Sequence, residues 1–245
     1  MAFMDFLCNH PISSIVIVMD SMFKVGFGVK VDSLHQSSEE WTSFTKAFDD
    51  CKMEQGPSSD NSNEKIVQEV KEATKLKDDT SFNEFVEHVD EETLDKMQYL
   101  HAALSETLRL YPPVPADAKF CFSDDTLPDG FSVRGGDQVC YTPYAMGRLD
   151  FLWGDDAKFF RPERWLDENG FFRPENPFKF SAFQGGPRIC LGKDFAYRQM
   201  KIFSAIMLGR FVFKLSDKKK PINYKTMLTL QIDGGLHLLA FHRLL

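Results

Sequence analysis

Apolar positions recur at helical spacing in three places along the chain. Ile66, Val67, Val70, Ala73 and Leu76 fall on one face of an amphipathic helix predicted over 64–76. Leu94, Met97, Leu100, Ala103 or Leu104, Leu108 and Tyr111 form a longer stripe. It predicts a helix from Thr93 to Leu110, stopped by Pro112 and Pro113. Phe195, Gln199, Ile202, Phe203, Ile206 and Met207 predict a third helix over 191–208. Between the second and third helices the period is lost. Pro115, Pro128, Gly130, Gly135 and Gly136 punctuate short strand candidates at 131–134 and 138–141, and 154–187 reads as irregular chain rich in Phe, Pro, Gly and Arg. Two more strands are expected at 211–215 and 236–241, around a turn at Asp233, Gly234 and Gly235.

Upstream of residue 64 the pattern is weaker. Ser13 to Phe27 and Glu39 to Asp50 are short helix candidates. The run from Gln55 to Asn63 has turn formers and no apolar side chain, so 55–63 is expected to be a linker between an upstream segment, 1–54, and a larger unit, 64–245. The expected fold class is mainly α with a minor β part.

Composition narrows the function. The chain has 245 residues, 43% hydrophobic and 27% charged, which suits a globular chain able to bury a substantial core. With 29 basic and 36 acidic residues the net charge is −7, which argues against non-specific nucleic-acid binding. Eleven carboxylates lie between Glu64 and Asp95, against five lysines between Lys65 and Lys96, so most of the excess acid sits on one solvated stretch. Cysteines at 8, 51, 121, 140 and 190 form no C-x-x-C pair; zinc ribbons and cysteine-ligated clusters have no support, and no disulfide partner is expected. The apolar run Ile12 to Met19 lacks a basic lead and is far shorter than the ~20 residues that cross a bilayer.

The chemistry concentrates in Phe183-Gln-Gly-Gly186-Pro-Arg188-Ile-Cys190-Leu-Gly192. This run puts a cysteine at the end of a glycine-rich loop and just before a helix, where N–H groups and the macrodipole stabilise a thiolate. Gly186 and Gly192 allow close backbone approach to a large flat group. Arg188 can pair with a carboxylate. A thiolate, a close backbone and a cation describe a cradle for an iron porphyrin with a carboxylate arm. Elsewhere Glu106 and Arg109 stand at i and i+3 on the second helix. Apolar neighbours there suggest that the pair is partly buried and has a third partner, for which Arg164 in Pro162-Glu-Arg164-Trp165 is available.

The pattern F-x-x-G-x-R-x-C-x-G is matched at all its fixed positions, and it resembles the haem-binding signature of the cytochrome P-450 family. Pro162 to Trp165 is similar to that family's P-E-R-F element with Trp165 in place of Phe, and the order E-x-x-R, P-E-R, cysteine loop, helix is the family's order. Gly147-Arg148 and Trp153-Gly-Asp-Asp-Ala-Lys-Phe-Phe-Arg-Pro-Glu-Arg-Trp165 look more narrowly like the plant fatty-acid hydroxylases of the family. So, over a shorter length, do Phe23 to Asp32 and Phe44 to Asp50.

The resemblance implies that residues 64–245 are the C-terminal portion of the P-450 fold, and that Cys190 is the axial ligand to the iron of haem b (iron protoporphyrin IX). Arg188 would contact a propionate, with Phe183, Gly186 and Gly192 shaping the loop. Glu106, Arg109 and Arg164 would hold that loop in place. Val114, Pro115 and Ala116, with Met227, Leu228, Thr229 and Leu230, would face substrate. The implied reaction inserts one atom of dioxygen into a C–H bond of a fatty acid or related lipid. Electrons would come from NADPH through a separate cytochrome P-450 reductase. Lys193, Arg198 and Lys201 around the last helix are candidates to face that partner. The family works at the cytosolic face of the endoplasmic reticulum membrane; without an anchor this chain would be cytosolic.

Family members are roughly twice as long, and their distal helix carries an A/G-G-x-D/E-T element that is absent here. The nearest string, Asp79-Thr80-Ser81, reads as loop. No distal catalytic pair is identified. The chain is therefore expected to be a truncated or internally deleted member. The alternative to a working monooxygenase is a haem-binding fragment without catalysis, or a product without function.

Overall fold

A computed structural model describes residues 59–75, 82–217, 223–226, 229–233 and 235–243. The helix candidates at 13–27 and 39–50, the Asp79 to Ser81 string, and the pair Met227 and Leu228 lie outside the described residues.

The first helix, α1, spans Ser59–Thr74. It starts five residues before the predicted Glu64, so the polar run 59–63, expected as linker, forms its opening turns. Ser, Asp and Asn suit the start of a helix because their side chains satisfy leading N–H groups. Ser62 is also buried, and its Oγ accepts a hydrogen bond from the Tyr99 hydroxyl at 3.3 Å. Val70, fully buried, faces Phe85 of a short helix α2, Phe82–Glu87.

The predicted helix over 93–110 is two helices. α3 spans Glu91–Lys96 and is capped by Asp90, whose carboxylate accepts from the Thr93 N–H at 2.8 Å. α4 spans Gln98–Leu110. The break falls at Met97, at φ −80° and ψ 80°, and its cause lies on α1. Glu69 accepts from the N–H groups of Tyr99 at 2.7 Å and Leu100 at 2.8 Å. A carboxylate at a helix start satisfies orphan donors and complements the macrodipole.

Among the described residues four two-stranded antiparallel sheets follow: β1 Asp117–Phe120 with β4 Gln138–Tyr141, and β2 Asp125–Thr126 with β3 Ser132–Val133; later, β5 Phe211–Leu215 with β8 Leu238–His242, and β6 Tyr224–Thr226 with β7 Leu230–Ile232. β4 and β5 match their predicted bounds, and β6 and β7 carried no sequence signal. Two single-turn helices, α5 Pro143–Met146 and α6 Asp150–Trp153, lead into the expected irregular stretch. That stretch contains 3-10 turns at Pro162–Trp165, Ser181–Phe183 and Gly186–Arg188. The last helix, α7, spans Lys193–Arg210.

α1, α4 and α7 pack on one another, and Val70, Met97, Leu100, Leu108, Met200 and Ala205 fill the space between them. Each fully buried Val, Leu or Met side chain among them contributes about 1.5–3 kcal/mol. The fold is mainly α with a minor β part.

Candidate active site

α7 has Gly192 at its N-cap, and no side chain among the described residues caps it. Two residues earlier stands Cys190, with its side chain exposed. Its N–H donates to the Phe183 carbonyl at 2.8 Å, and its own carbonyl accepts from the Lys193 N–H at 3.3 Å. The loop between turns at Gly186, whose φ of 65° is a left-handed value that favours glycine. Phe183 packs its ring on Tyr197 of α7. Thus the sequence-selected residues Phe183, Gly186, Cys190 and Gly192 come together in one turn at the head of one helix.

Around the thiol the surface is apolar although exposed. Leu191 is fully exposed, Phe195 53% and Ile189 41%. Arg188 is exposed and makes no hydrogen bond or ion pair among the described residues. Among the described residues no group of three or more His, Cys, Asp and Glu is arranged to hold a metal ion. One cysteine sulfur is the donor set for a metal that brings its other ligands with it. A flat apolar group with an anionic arm fits the apolar rim and the exposed guanidinium of Arg188.

On α4, Glu106 is wholly buried and collects five donors. Its Oε1 accepts from Arg109 Nη2 at 2.8 Å, the Arg161 backbone N–H at 2.8 Å and Arg164 Nε at 2.9 Å. Its Oε2 accepts from Arg109 Nε at 2.8 Å and the Trp165 indole N–H at 2.9 Å. Glu106, Arg109 and Arg164 therefore form one cluster, as their pattern predicted, and the pair is fully rather than partly buried. Arg109 also donates to the carbonyls of Gly147, Ala157 at 2.5 Å and Phe159 at 3.1 Å. This satisfies the guanidinium without water, as a buried charge requires. A side chain at Gly147 would press into the Arg109 carbonyl, so only glycine lets α5 approach α4 this closely.

The residues assigned to a substrate face are partly united. The Leu230 N–H donates to the Pro113 carbonyl at 2.9 Å, which sets β7 beside the segment after α4. Pro115, Thr229 and Leu230 are buried, while Val114 and Ala116 remain partly exposed. Of the cations on α7, Lys201 is corrected: it is buried and donates to the Leu94 carbonyl at 2.9 Å, so it cannot face a partner. Arg198 is exposed and paired with Glu91.

Sequence reasoning missed several contributors. Trp165 was noted only as a substitution for Phe, yet its N–H is one of the five donors to Glu106. Gln184, inside the motif, and Asp117 on β1 are joined by a hydrogen bond of 2.9 Å. His101 stacks on Phe172 at 3.9 Å and leans on Tyr197 at 4.3 Å, and burial first, then the charges of Lys201 and Lys193, push its imidazole down to about 3. It stays neutral at physiological pH. These partners are 59 to 96 residues apart in the chain, so no local signal marks them.

Comparison with known proteins gives one consistent answer. The family model described as Cytochrome P450 matches residues 59–239. The chain is similar to Cytochrome P450 704C1 of Pinus taeda, 52% identical over 188 residues that make up 74% of this chain and 36% of that protein. It is also similar to Cytochrome P450 704B1 of Arabidopsis thaliana, 46% identical over 173 residues, 68% of this chain and 33% of that protein. With Cytochrome P450 86B1 of Arabidopsis thaliana it shares 50% identity over 145 residues, 59% of this chain and 26% of that protein. The chain thus spans about a third of the length of the curated relatives it matches. Within that span the glycine-rich cysteine turn, the Glu106 cluster and the family match coincide, and the chain belongs to the cytochrome P450 family.

Proposed function

We infer that this chain supplies the thiolate side of a haem monooxygenase that acts on a fatty acid or related lipid. The observation that carries the reading is Cys190, exposed at the head of α7, beside the exposed apolar Ile189, Leu191 and Phe195 and two residues from Arg188, which has no partner among the described residues. Residues 64–245, with the helical start at Ser59, represent the C-terminal haem-binding portion of the family fold, and 1–54 a part of its upstream segment.

When bound, haem would supply dioxygen activation, helped by electron donation from its cysteine ligand. The chain's own residues hold and orient. Cys190 provides the sulfur, and the hydrogen bond from its N–H to Phe183 fixes the loop that carries it. Arg188 takes a propionate in a charge-assisted pair. Ile189, Leu191 and Phe195 offer an exposed apolar surface that the bound group would cover, and water would then be excluded from the sulfur. Glu106, Arg109 and Arg164 brace the loop from behind. Val114 and Ala116, still partly exposed, meet the substrate, with Pro115, Thr229 and Leu230 packed behind them; Met227 and Leu228 belong to the same assignment by resemblance.

The lipid substrate is supported by the likeness of 147–165 to plant fatty-acid hydroxylases. Electrons come from NADPH through a cytochrome P450 reductase at the endoplasmic reticulum membrane. No described helix is long and apolar enough to cross a membrane. A second reading is haem binding without turnover, for which the cysteine turn by itself suffices.

The test is the reduced, carbon-monoxide-bound difference spectrum of the chain supplied with haem. A strongly red-shifted Soret band that Cys190→Ser abolishes is expected. An unchanged spectrum in that variant would overturn the ligand assignment. Lipid hydroxylation with added reductase separates the monooxygenase from the binding-only reading.

A further inference from the structure

Gln184 occupies backbone space that residues with side chains avoid, at φ 60° and ψ 179°. Two glycines follow it, yet the strained position belongs to the glutamine, and its neighbour Gly185 is ordinary extended chain at φ −138°. The glutamine is held from both ends. Its N–H donates to the Ser181 carbonyl at 3.0 Å. Its side-chain amide donates to Asp117 Oδ2 at 2.9 Å, and its side-chain oxygen faces Lys119 Nζ at 3.4 Å.

Asp117 is itself fastened. Its Oδ2 also accepts from the Tyr141 hydroxyl at 2.7 Å and Lys119 Nζ at 2.8 Å, and its Oδ1 accepts from the Ala118 N–H at 2.7 Å. Asp117 and Tyr141 are cross-strand partners at the end of the β1–β4 pair. The carboxylate is thus a fixed point of the sheet rather than a loose surface acid.

The geometry has a direct bearing on Cys190. The φ angle of Gln184 sets the plane of the peptide between residues 183 and 184. That peptide carries the Phe183 carbonyl, which receives the Cys190 N–H at 2.8 Å. If Gln184 relaxed to an ordinary φ, the plane would turn and the carbonyl would leave the Cys190 amide. The geometry points to Gln184 and Asp117 as positioning residues for Cys190: the sheet carboxylate clamps the glutamine side chain and so aims the carbonyl that holds the cysteine turn. Its meaning for catalysis rests on Cys190 being the haem ligand.

Gln184→Glu tests the clamp with little change of shape, since it sets a second carboxylate against Asp117. Adding Asp117→Asn restores the contact with donor and acceptor exchanged. Hydrogen–deuterium exchange of residues 181–192 in the full chain without haem is the first readout. Unchanged exchange over 98–110 marks each variant as folded. The single variant is expected to exchange about tenfold faster at the Cys190 amide, the equivalent of one charge-assisted hydrogen bond lost, and the double variant to return to the wild-type rate. The fraction of haem-loaded, reduced chain with the red-shifted carbon-monoxide band should follow the same order. Wild-type exchange in Gln184→Glu, or no recovery in the double variant, overturns the clamp. A wild-type chain that lacks the band overturns the haem-ligand reading alone, and the exchange ratio then decides the clamp by itself.

Discussion

Trp165 donates its indole N–H to Glu106 Oε2 across 2.9 Å, and both side chains are fully buried. A phenyl ring at this position could fill much the same space but could not donate. Trp165→Phe should therefore remove one bond to a buried carboxylate while largely keeping the packing against Phe172 and Phe180. A loss of about 1.5–3 kcal/mol in unfolding free energy is expected from urea titration. A midpoint equal to wild type would show that the other four donors suffice.

Glu69 presents a second case of a carboxylate that shapes backbone. Glu69→Ala frees the N–H groups of Tyr99 and Leu100 at the head of α4. The cost should be about 1–2 kcal/mol, typical of a lost helix cap. Faster amide exchange at residues 98–100, measured by NMR, should accompany it.

Gly147→Ala drives a methyl group into the backbone carbonyl of Arg109, which no side-chain rotation can relieve. Overpacking of this kind costs about 1–3 kcal/mol. The thermal midpoint should fall, and it should fall less for a substitution at Gly130, where a Cβ meets nothing within 4 Å but φ is 87°.

His101 gives stability a pH dependence of known sign. Its folded value of about 3 lies below the ordinary 6.5, so between those values the unfolded chain binds the extra proton. Its contribution is whole above pH 6.5 and is lost at about 1.4 kcal/mol per pH unit as pH falls toward 3. Glu69 acts in the opposite sense, because burial raises its carboxyl above the ordinary range. Comparison with His101→Phe, which keeps an aromatic ring beside Phe172 and Tyr197, isolates the histidine. Denaturation at pH 7 and pH 5 should show the wild type losing stability relative to the variant.

Helix positions and the cysteine turn were legible in the sequence because both are local. The stripe through Leu94, Leu100 and Leu108 lies within one segment, and the motif from Phe183 to Gly192 occupies ten consecutive residues. The break at Met97 was not legible, since the carboxylate that caps α4 belongs to a residue about thirty positions upstream. Ser59 to Asn63 read as linker because it has no apolar residue, and its helix depends on tertiary contacts such as Ser62 with Tyr99. β6 and β7 are three residues each, too short for alternation to register. The Glu106–Arg109–Arg164 cluster was legible only in part: charge spacing and apolar neighbours pointed to burial, whereas the donors from Arg161 and Trp165 required the folded chain.

Glu106 closes a circuit. It joins α4 to residues 55, 58 and 59 positions later, so the chain from the end of α4 to Arg161 is a loop fastened at its base without a covalent link. The β1–β4 and β2–β3 hairpins are excursions on that loop, and fraying at their exposed turn near Gly130 leaves the base fastened. Closure entropy grows only logarithmically with length, so even a doubled loop would cost about 0.6 kcal/mol more. Added residues at that turn would therefore leave the base at Glu106 fastened, which makes it the natural place to attach a spectroscopic label or a tether.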